Sequence, residues 1–475
     1  AAALVGMAAT GSSEYIALAG LLALMAGALL IVARLVKLGF IADFLSRTVL
    51  IGFLTGVGIQ VAIGQLAGML GVPTPSGGSL RKLVDTVGDI PDTSMTTLAV
   101  SLGVLGTILG LKLVTKKIPG ALIAVVGAMV VSYFADLADH GVSVLGEVPG
   151  GLPSIGLPEG MSWSDVGALV PAAISILVLV LAQSAATSRA YAAKYNERFS
   201  EDTDLVGLGL ANGAAAITGT FVVNGSPTKT QMLDSAGGRS QLAHLTTGVL
   251  VVIVLLFLTA PLEYLPNAVL AAVVFLIGIE LVDIAGMRRI ARRRPDEFIV
   301  ALLTALTVVV VGVEQGIVLA IILSVIDHLR RSYRPNNSVI TIADDRIRSA
   351  PVGPAARTLP GLVIYRFNAS LYYANANLFL EEVNGLLTST DPDRVRWLCI
   401  DAAAISDVDY SAAETLRQLH DEAVEHDVRV VFAEVQPTVR AELDQLELAE
   451  TLGQDAFYDT VLDVVEAFRR EPVPD

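Results

Sequence analysis

The sequence predicts a polytopic α-helical membrane domain followed by a small α/β domain, and three observations carry that prediction. Apolar stretches long enough to cross a bilayer recur along the first 332 residues. After Arg334-Pro335-Asn336-Asn337 the pattern changes to short strands alternating with amphipathic helices. Charge divides at the same place. Residues 1–340 hold 21 Lys and Arg against 22 Asp and Glu, whereas residues 341–475 hold 11 Arg and no Lys against 25 acids. The boundaries read as 1–335 for the membrane domain, 336–357 for a linker and 358–475 for the α/β domain.

Spans are expected near 14–36, 44–70, 95–115, 119–138, 166–188, 241–260, 266–284, 296–313 and 314–331, because each is an unbroken apolar run of about the 17–25 residues that a bilayer requires. A shorter span, 204–219, is rich in Gly and Ala; Gly207, Gly209 and Gly213 let a neighbouring helix come close. It leads into an extended Thr220-Phe221-Val222-Val223 and then a half-helix from Thr228 to Ala236. In the α/β part, strands are expected at 363–367, 396–400 and 428–432, and helices at 377–387, 411–425, 439–452 and 460–469.

Composition narrows the function classes. The 475 residues are 53% hydrophobic and 17% charged, with a mean hydropathy of +0.64, which excludes a soluble enzyme with an ordinary core. A net charge of −15 argues against nucleic-acid binding, since an acidic surface repels phosphates. The lone Cys399 rules out an intramolecular disulfide and suits a reducing compartment. No Walker sequence, HExxH, Gly-x-Ser-x-Gly or Cys/His cluster is present, so neither an enzymatic activity, a metal nor a cofactor is expected. The opening Ala-Ala-Ala-Leu-Val-Gly reads as the inside of a hydrophobic segment, so N-terminal spans are expected to lie outside this sequence.

Basic residues orient the spans. Arg34, Lys37 and Arg47 share one loop; Lys112, Lys116 and Lys117 another; Arg189, Lys194 and Arg198, Arg288 to Arg294, and Arg330 to Arg334 three more. The loop 139–165 has acids but no Lys or Arg. The alternation puts the basic groups and the acidic C-terminal domain in the cytoplasm, with 72–94 a mild exception.

The chemistry concentrates in Asn224-Gly225-Ser226-Pro227-Thr228-Lys229-Thr230. A Gly-Ser-Pro break cannot continue a helix, and broken backbone is tolerated at membrane depth only inside protein or beside a wet cavity. The helix that restarts there offers unpaired N–H groups and the positive end of its dipole, and Lys229 adds a full charge in the first turn. Interrupted helices of this kind mark substrate sites in secondary transporters. Gly225, Ser226, Thr228, Lys229 and Thr230 are therefore the candidate anion-binding residues; the blander alternative is a snorkelling lysine after a simple helix cap. Gln183 and Thr187 share a helix face and either line the same cavity or hydrogen-bond another helix. Gln60 and Gln65, in a glycine-rich span, read as helix–helix glue. Ser411 opens a helix with Glu414 three residues on, a capping box; a regulatory phosphate there is the alternative, opposed by Asp407 and Asp409.

Three blocks together resemble the SulP (sulfate permease) anion transporters. They are Gly39-Phe40-Ile41-Ala42-Asp43-Phe44-Leu45-Ser46-Arg47-Thr48-Val49-Leu50-Ile51-Gly52-Phe53-Leu54-Thr55-Gly56; the run from Asp204 to Asn212 with Gly219-Thr220-Phe221 and Gly225-Ser226-Pro227-Thr228-Lys229-Thr230; and Ile405-Ser406-Asp407-Val408-Asp409-Tyr410-Ser411-Ala412, which is similar to the Asp-x-Ser-Gly turn of a STAS domain. The resemblance spans essentially the whole chain. It implies a seven-plus-seven inverted repeat of helices split into core and gate, the first repeat truncated here, with the anion held between two half-helices. It further implies alternating access, an inorganic oxyanion such as sulfate or bicarbonate as substrate, a homodimer in the bacterial inner membrane, and a cytoplasmic STAS domain that regulates, through Ser411 or a protein partner. Chloride or dicarboxylate exchange, or a channel-like mode, is the alternative within transport; a membrane-tethered signalling protein is the alternative outside it. The chain departs from the family where Gln183 replaces a commonly acidic residue tied to proton or sodium coupling, where Lys229 replaces Arg, where Pro227 replaces a bulky residue, and where Ala412 replaces glycine.

Overall fold

Thirteen helices of nine or more residues precede the first strand in the computed structural model, which describes residues 4–471 apart from 5–6, 9–11, 40–45, 115–118, 154, 159, 161, 199, 334, 344–345, 354–355 and 388–393. They are α1 (Ser13–Leu35), α2 (Arg47–Leu70), α3 (Ser79–Gly88), α4 (Met95–Val114), α5 (Gly120–Phe134), α6 (Trp163–Tyr195), α7 (Glu201–Ile217), α8 (Pro227–Ser235), α9 (Gln241–Phe257), α10 (Asn267–Leu281), α11 (Ile284–Arg293), α12 (Pro295–Val310) and α13 (Val313–Tyr333). Most of the signature block 39–56 lies in α2, but residues 40–45 of it, like Lys116 and Lys117, fall outside the described residues.

Among the described residues five helices are long and apolar enough to cross a membrane: α1, α2, α4, α6 and the continuous stretch Asn267–Arg293. The expected spans at 119–138 and 241–260 are the shorter apolar helices α5 and α9. α9 carries no buried residue and turns Leu242, Leu245, Val249 and Phe257 outward. A soluble fold does not leave such a face bare, whereas hydrocarbon covers it without cost. α6 runs well past the expected end at 188, from a capping box of Ser162 and Asp165 to Asn196, whose φ of +53° stops it.

Two sets of helices pack closely. α1 lies against α7 and α6, while α2 lies against α10 and α12, with α4 and α5 alongside α10. Small residues permit both contacts: a Cβ on Gly209 of α7 would come within 3.2 Å of the Gly27 carbonyl, whereas Gly207 and Gly213 face open space. Val49, Leu50, Phe53 and Val57 of α2 bury themselves against Ala182 and Ala186 of α6 and Val308 of α12. The half-helix α8 touches α6, α2 and α10.

The second unit begins at Ile326 and is built on one six-stranded sheet of order β2-β1-β3-β4-β5-β6. Strands β3 (Leu362–Arg366), β4 (Trp397–Asp401), β5 (Arg429–Ala433) and β6 (Phe457–Tyr458) run parallel, with Ile364 opposite Cys399 and Cys399 opposite Val431. β3, β4 and β5 match the expected strands to within a residue or two and are almost wholly buried, as apolar runs covered by helices on both faces should be, whereas the short, half-buried β6 was not expected. Helices α14 (Ala376–Leu387), α15 (Tyr410–Glu425), α16 (Pro437–Gln445) and α17 (Leu448–Leu452) supply one core, and α18 (Val461–Arg470) the other.

Two expectations need correction here. Residues 336–357, read as a linker, contain β1 (Ser338–Ala343) and β2 (Arg346–Pro351), an antiparallel hairpin that adds itself to the sheet through β3. Val339 and Ile340, both fully buried, are the reason it stays there. The single helix expected at 439–452 is broken into α16 and α17 by Glu447, which sits at φ +58°.

Candidate functional site

α7 stops at Ile217, Gly219 turns the chain at φ +62°, and residues 220–225 run extended before α8 begins. The extended piece is held by side chains, because it has no ladder of its own. Asn212, fully buried on α7, accepts the Val223 N–H at 3.0 Å through Oδ1 and donates Nδ2–H to the Val223 carbonyl at 2.9 Å and the Leu208 carbonyl at 2.8 Å. Asn224 donates Nδ2–H to Gln183 Oε1 at 2.6 Å, and the Gly225 N–H donates to Ser184 Oγ at 2.8 Å. A Cβ at Gly225 would lie 2.9 Å from that oxygen and 3.3 Å from Ser184 Cα, so only glycine lets the break approach α6 this closely.

The α8 N-terminus follows capping rules. Ser226 is the N-cap, at φ −105° and ψ 122°, and Pro227 is buried at the first helical position, where no N–H is needed. Ser226 Oγ accepts the Lys229 N–H at 3.4 Å and lies 3.0 Å from Thr228 Oγ1, while the Ser226 carbonyl accepts the Thr230 N–H at 2.9 Å. Of the first-turn N–H groups, Thr230's is therefore engaged, Lys229's is loosely held and Thr228's has no partner among the described residues. The Lys229 side chain is exposed and, among the described residues, makes no ion pair. A cation left unpaired at the positive end of a helix attracts an anion.

Gln183 is thus brought to the break, whereas Thr187 is not. Thr187 is buried, and its hydroxyl donates to the Gln183 carbonyl at 2.8 Å, bonding back along its own helix. Thr230 lines an open cleft of about 450 Å³ of mixed polarity with Ser188, Tyr191, Tyr195, Asp234 and Arg239. There Lys194 pairs with Asp234 at 2.6 Å and Arg239 stacks on Tyr195. Asn212, Asn224 and Ser184 were not singled out as site residues from the sequence. Asn224, next to the Gly-Ser-Pro break, was the available signal, since an irregular segment at membrane depth needs side-chain partners; Asn212 and Ser184 lie too far along the chain to be read this way.

Ser411 does not cap its helix. α15 starts at Tyr410, and Asp409 is the N-cap, its Oδ1 accepting the Ala412 N–H at 2.8 Å and its Oδ2 the Tyr373 N–H at 2.9 Å. Glu414, expected to reach back to the cap, pairs with Arg417 instead. An acceptor one residue before the helix faces the first-turn N–H groups, whereas a serine already inside the helix does not. Ser411 is exposed in the first turn. Among the described residues no group of three or more His, Cys, Asp or Glu side chains is arranged to hold a metal.

Comparison with known proteins places these features in a family. The model of the sulfate permease family matches residues 1–304, and that of the STAS domain residues 353–464. The Mycobacterium tuberculosis protein named "Probable sulfate transporter MT1781" is 32% identical over 472 residues, covering 99% of this chain and 84% of its own length. Sulfate transporter 1.2 of Arabidopsis thaliana is 26% identical over 484 residues, covering 96% and 73%. The murine Slc26a9 anion transporter in its inward-facing state shares the fold, with a TM-score of 0.81 at 21% identity over 98% of this chain and 77% of that one.

Proposed function

The chain belongs to the sulfate permease family, and from that premise we propose that it is a secondary active transporter moving an inorganic oxyanion, sulfate or bicarbonate, by alternating access. It is a multi-pass membrane protein with a C-terminal STAS domain. One observation carries the reading: a nine-residue helix begins at a side-chain-clamped break between packed spans, with a lysine in its first turn that makes no ion pair among the described residues. The Thr228 N–H, the Thr228 hydroxyl and the Lys229 ammonium are the donors in this proposal, Ser226 shapes the cap, and Gln183 holds the wall through Asn224. The name of the M. tuberculosis relative supports sulfate, and the charge at the site supports an anion of either kind.

The finer reading sets the protein in the bacterial inner membrane with the STAS domain in the cytoplasm, as the basic loops require. It includes a homodimer, and a regulatory partner of the STAS domain docking at the exposed first turn of α15, where Tyr410 and Ser411 lie. Because Gln183 is neutral, transport through this site does not depend on protonation or sodium binding at that position. Uptake of labelled sulfate, bicarbonate, chloride and a dicarboxylate by purified protein in proteoliposomes tests the proposal. Saturable uptake of sulfate or bicarbonate is expected; uptake of none of the four would end it.

A further inference from the structure

We propose that Glu280 is a positioning residue for transport: it latches the far end of the half-helix α8 to α10 and α4, and the latch must open during the cycle. The inference rests on the transport reading above. Glu280 lies in the last turn of α10. Its Oε2 accepts the Ser235 hydroxyl at 2.5 Å, and its Oε1 accepts Lys112 Nζ at 2.7 Å. Ser235 is the last residue of α8; its Oγ accepts Gln231 Nε2–H at 2.9 Å, and Gln231 Oε1 accepts the Tyr191 hydroxyl at 2.6 Å. One run of hydrogen bonds therefore crosses from α6 through α8 to α10 and α4.

The two ends of that run are held differently. Toward α6 and α7, the α8 segment is fastened repeatedly, by Asn224 to Gln183, Gly225 to Ser184 and Val223 to Asn212. Toward α10, the side-chain hydrogen bonds among the described residues converge on Glu280. α10 packs with α2 and α4, whereas α6 packs chiefly with α1, so Glu280 adds a polar tie between two helix sets that otherwise meet through apolar packing of α2 on α6. The Glu280 side chain is 29% exposed and Lys112 57%, which makes this a contact that water reaches and that can part without stranding a buried charge. α8 is a nine-residue rod of about 13 Å at 1.5 Å per residue, so a shift at Ser235 is carried to the Lys229 end. Movement of α8 with α6 and α7 past α10 cannot occur while Ser235 is tied to Glu280.

The test replaces both residues, Ser235→Cys with Glu280→Cys, in the full chain in proteoliposomes, and joins them with a short bis-methanethiosulfonate linker that a reductant removes. The native thiol is buried, so wild-type protein serves as the unreactive control. Uptake of sulfate by the linked protein should fall at least about tenfold and return on reduction, while linker leaves each single cysteine variant at that variant's own untreated rate. Linked protein that transports as fast as its reduced form would overturn the latch, and so would failure of the pair to link. If wild type and reduced variant alike take up neither sulfate nor bicarbonate, the transport reading has failed and the latch with it. Glu280→Gln gives an independent readout: the maximal rate should change by about threefold or more with KM within about twofold, since the residue touches no anion. An unchanged maximal rate contradicts the proposal.

Discussion

Asn224 donates to Gln183 Oε1 across 2.6 Å, tying the residue before the Gly-Ser-Pro break to the middle of α6. The tie is a neutral amide pair, with no carboxylate on either side of it. Gln183→Glu keeps the acceptor and adds a negative charge beside the Lys229 helix, so uptake by that variant should become dependent on pH or sodium while wild-type uptake stays flat. Asn224→Ala, which removes the tie, should lower saturable uptake by about tenfold. Initial rates measured across a pH series with and without sodium check both outcomes.

Gly225→Ala should cost at least about tenfold in uptake without loss of membrane insertion, because its Cβ would sit 2.9 Å from Ser184 Oγ. Ser184→Ala removes that oxygen and should rescue part of the rate in the double variant; a double variant no better than Gly225→Ala alone would show that the clash lies elsewhere.

Asn212 satisfies three backbone groups from a fully buried position. Asn212→Ala should lower stability by about 2–3 kcal/mol, since the Val223 groups lose their partners inside the protein. Thermal unfolding in detergent is the measurement, and a melting temperature equal to that of wild type would count against the clamp.

How far these features could be read from the chain depended on the range of the interaction. The α8 start was legible because Ser226 and Pro227 act locally, one as cap and one as first-turn residue. The spans at α1, α2, α4, α6 and α10 were legible from hydropathy, and so were β3, β4 and β5, which are buried apolar runs. Asn212 was not legible as a clamp, because its partner Val223 is eleven residues away across a turn whose path depends on Gly219. Thr187 matched the face of Gln183, but spacing does not reveal a hydroxyl that bonds back to its own helix. The β1–β2 hairpin was misread because charged and turn residues around Arg346 and Arg348 hid the alternation in Val339, Ile340 and Ile342. At α15 two capping acceptors competed, and local sequence alone favoured Ser411 over Asp409.

The STAS domain should lose stability in alkali. Tyr365 is fully buried and donates its hydroxyl to Glu382 at 2.6 Å; burial, then the Glu382 carboxylate, push its pKa far above the ordinary 10.0. Above pH 10 the unfolded phenol ionises while the folded one keeps its proton, so the folded state binds more protons. This contribution is complete below that pH and declines as pH rises. Tyr365→Phe should cost about 1 kcal/mol at neutral pH and flatten part of the alkaline decline. Urea unfolding from neutral pH to about pH 11 checks it, and an unaltered alkaline slope would rule the residue out.

The most direct measurement is saturable sulfate and bicarbonate uptake by Lys229→Ala and Lys229→Arg proteins in proteoliposomes, beside wild type. The charge in the first turn of α8 is held to bind the anion, so Ala should lose saturable uptake by about a hundredfold, whereas Arg, which keeps the charge and adds a bidentate fork, should retain it. Lys229→Ala protein that saturates with wild-type KM and maximal rate would contradict the account.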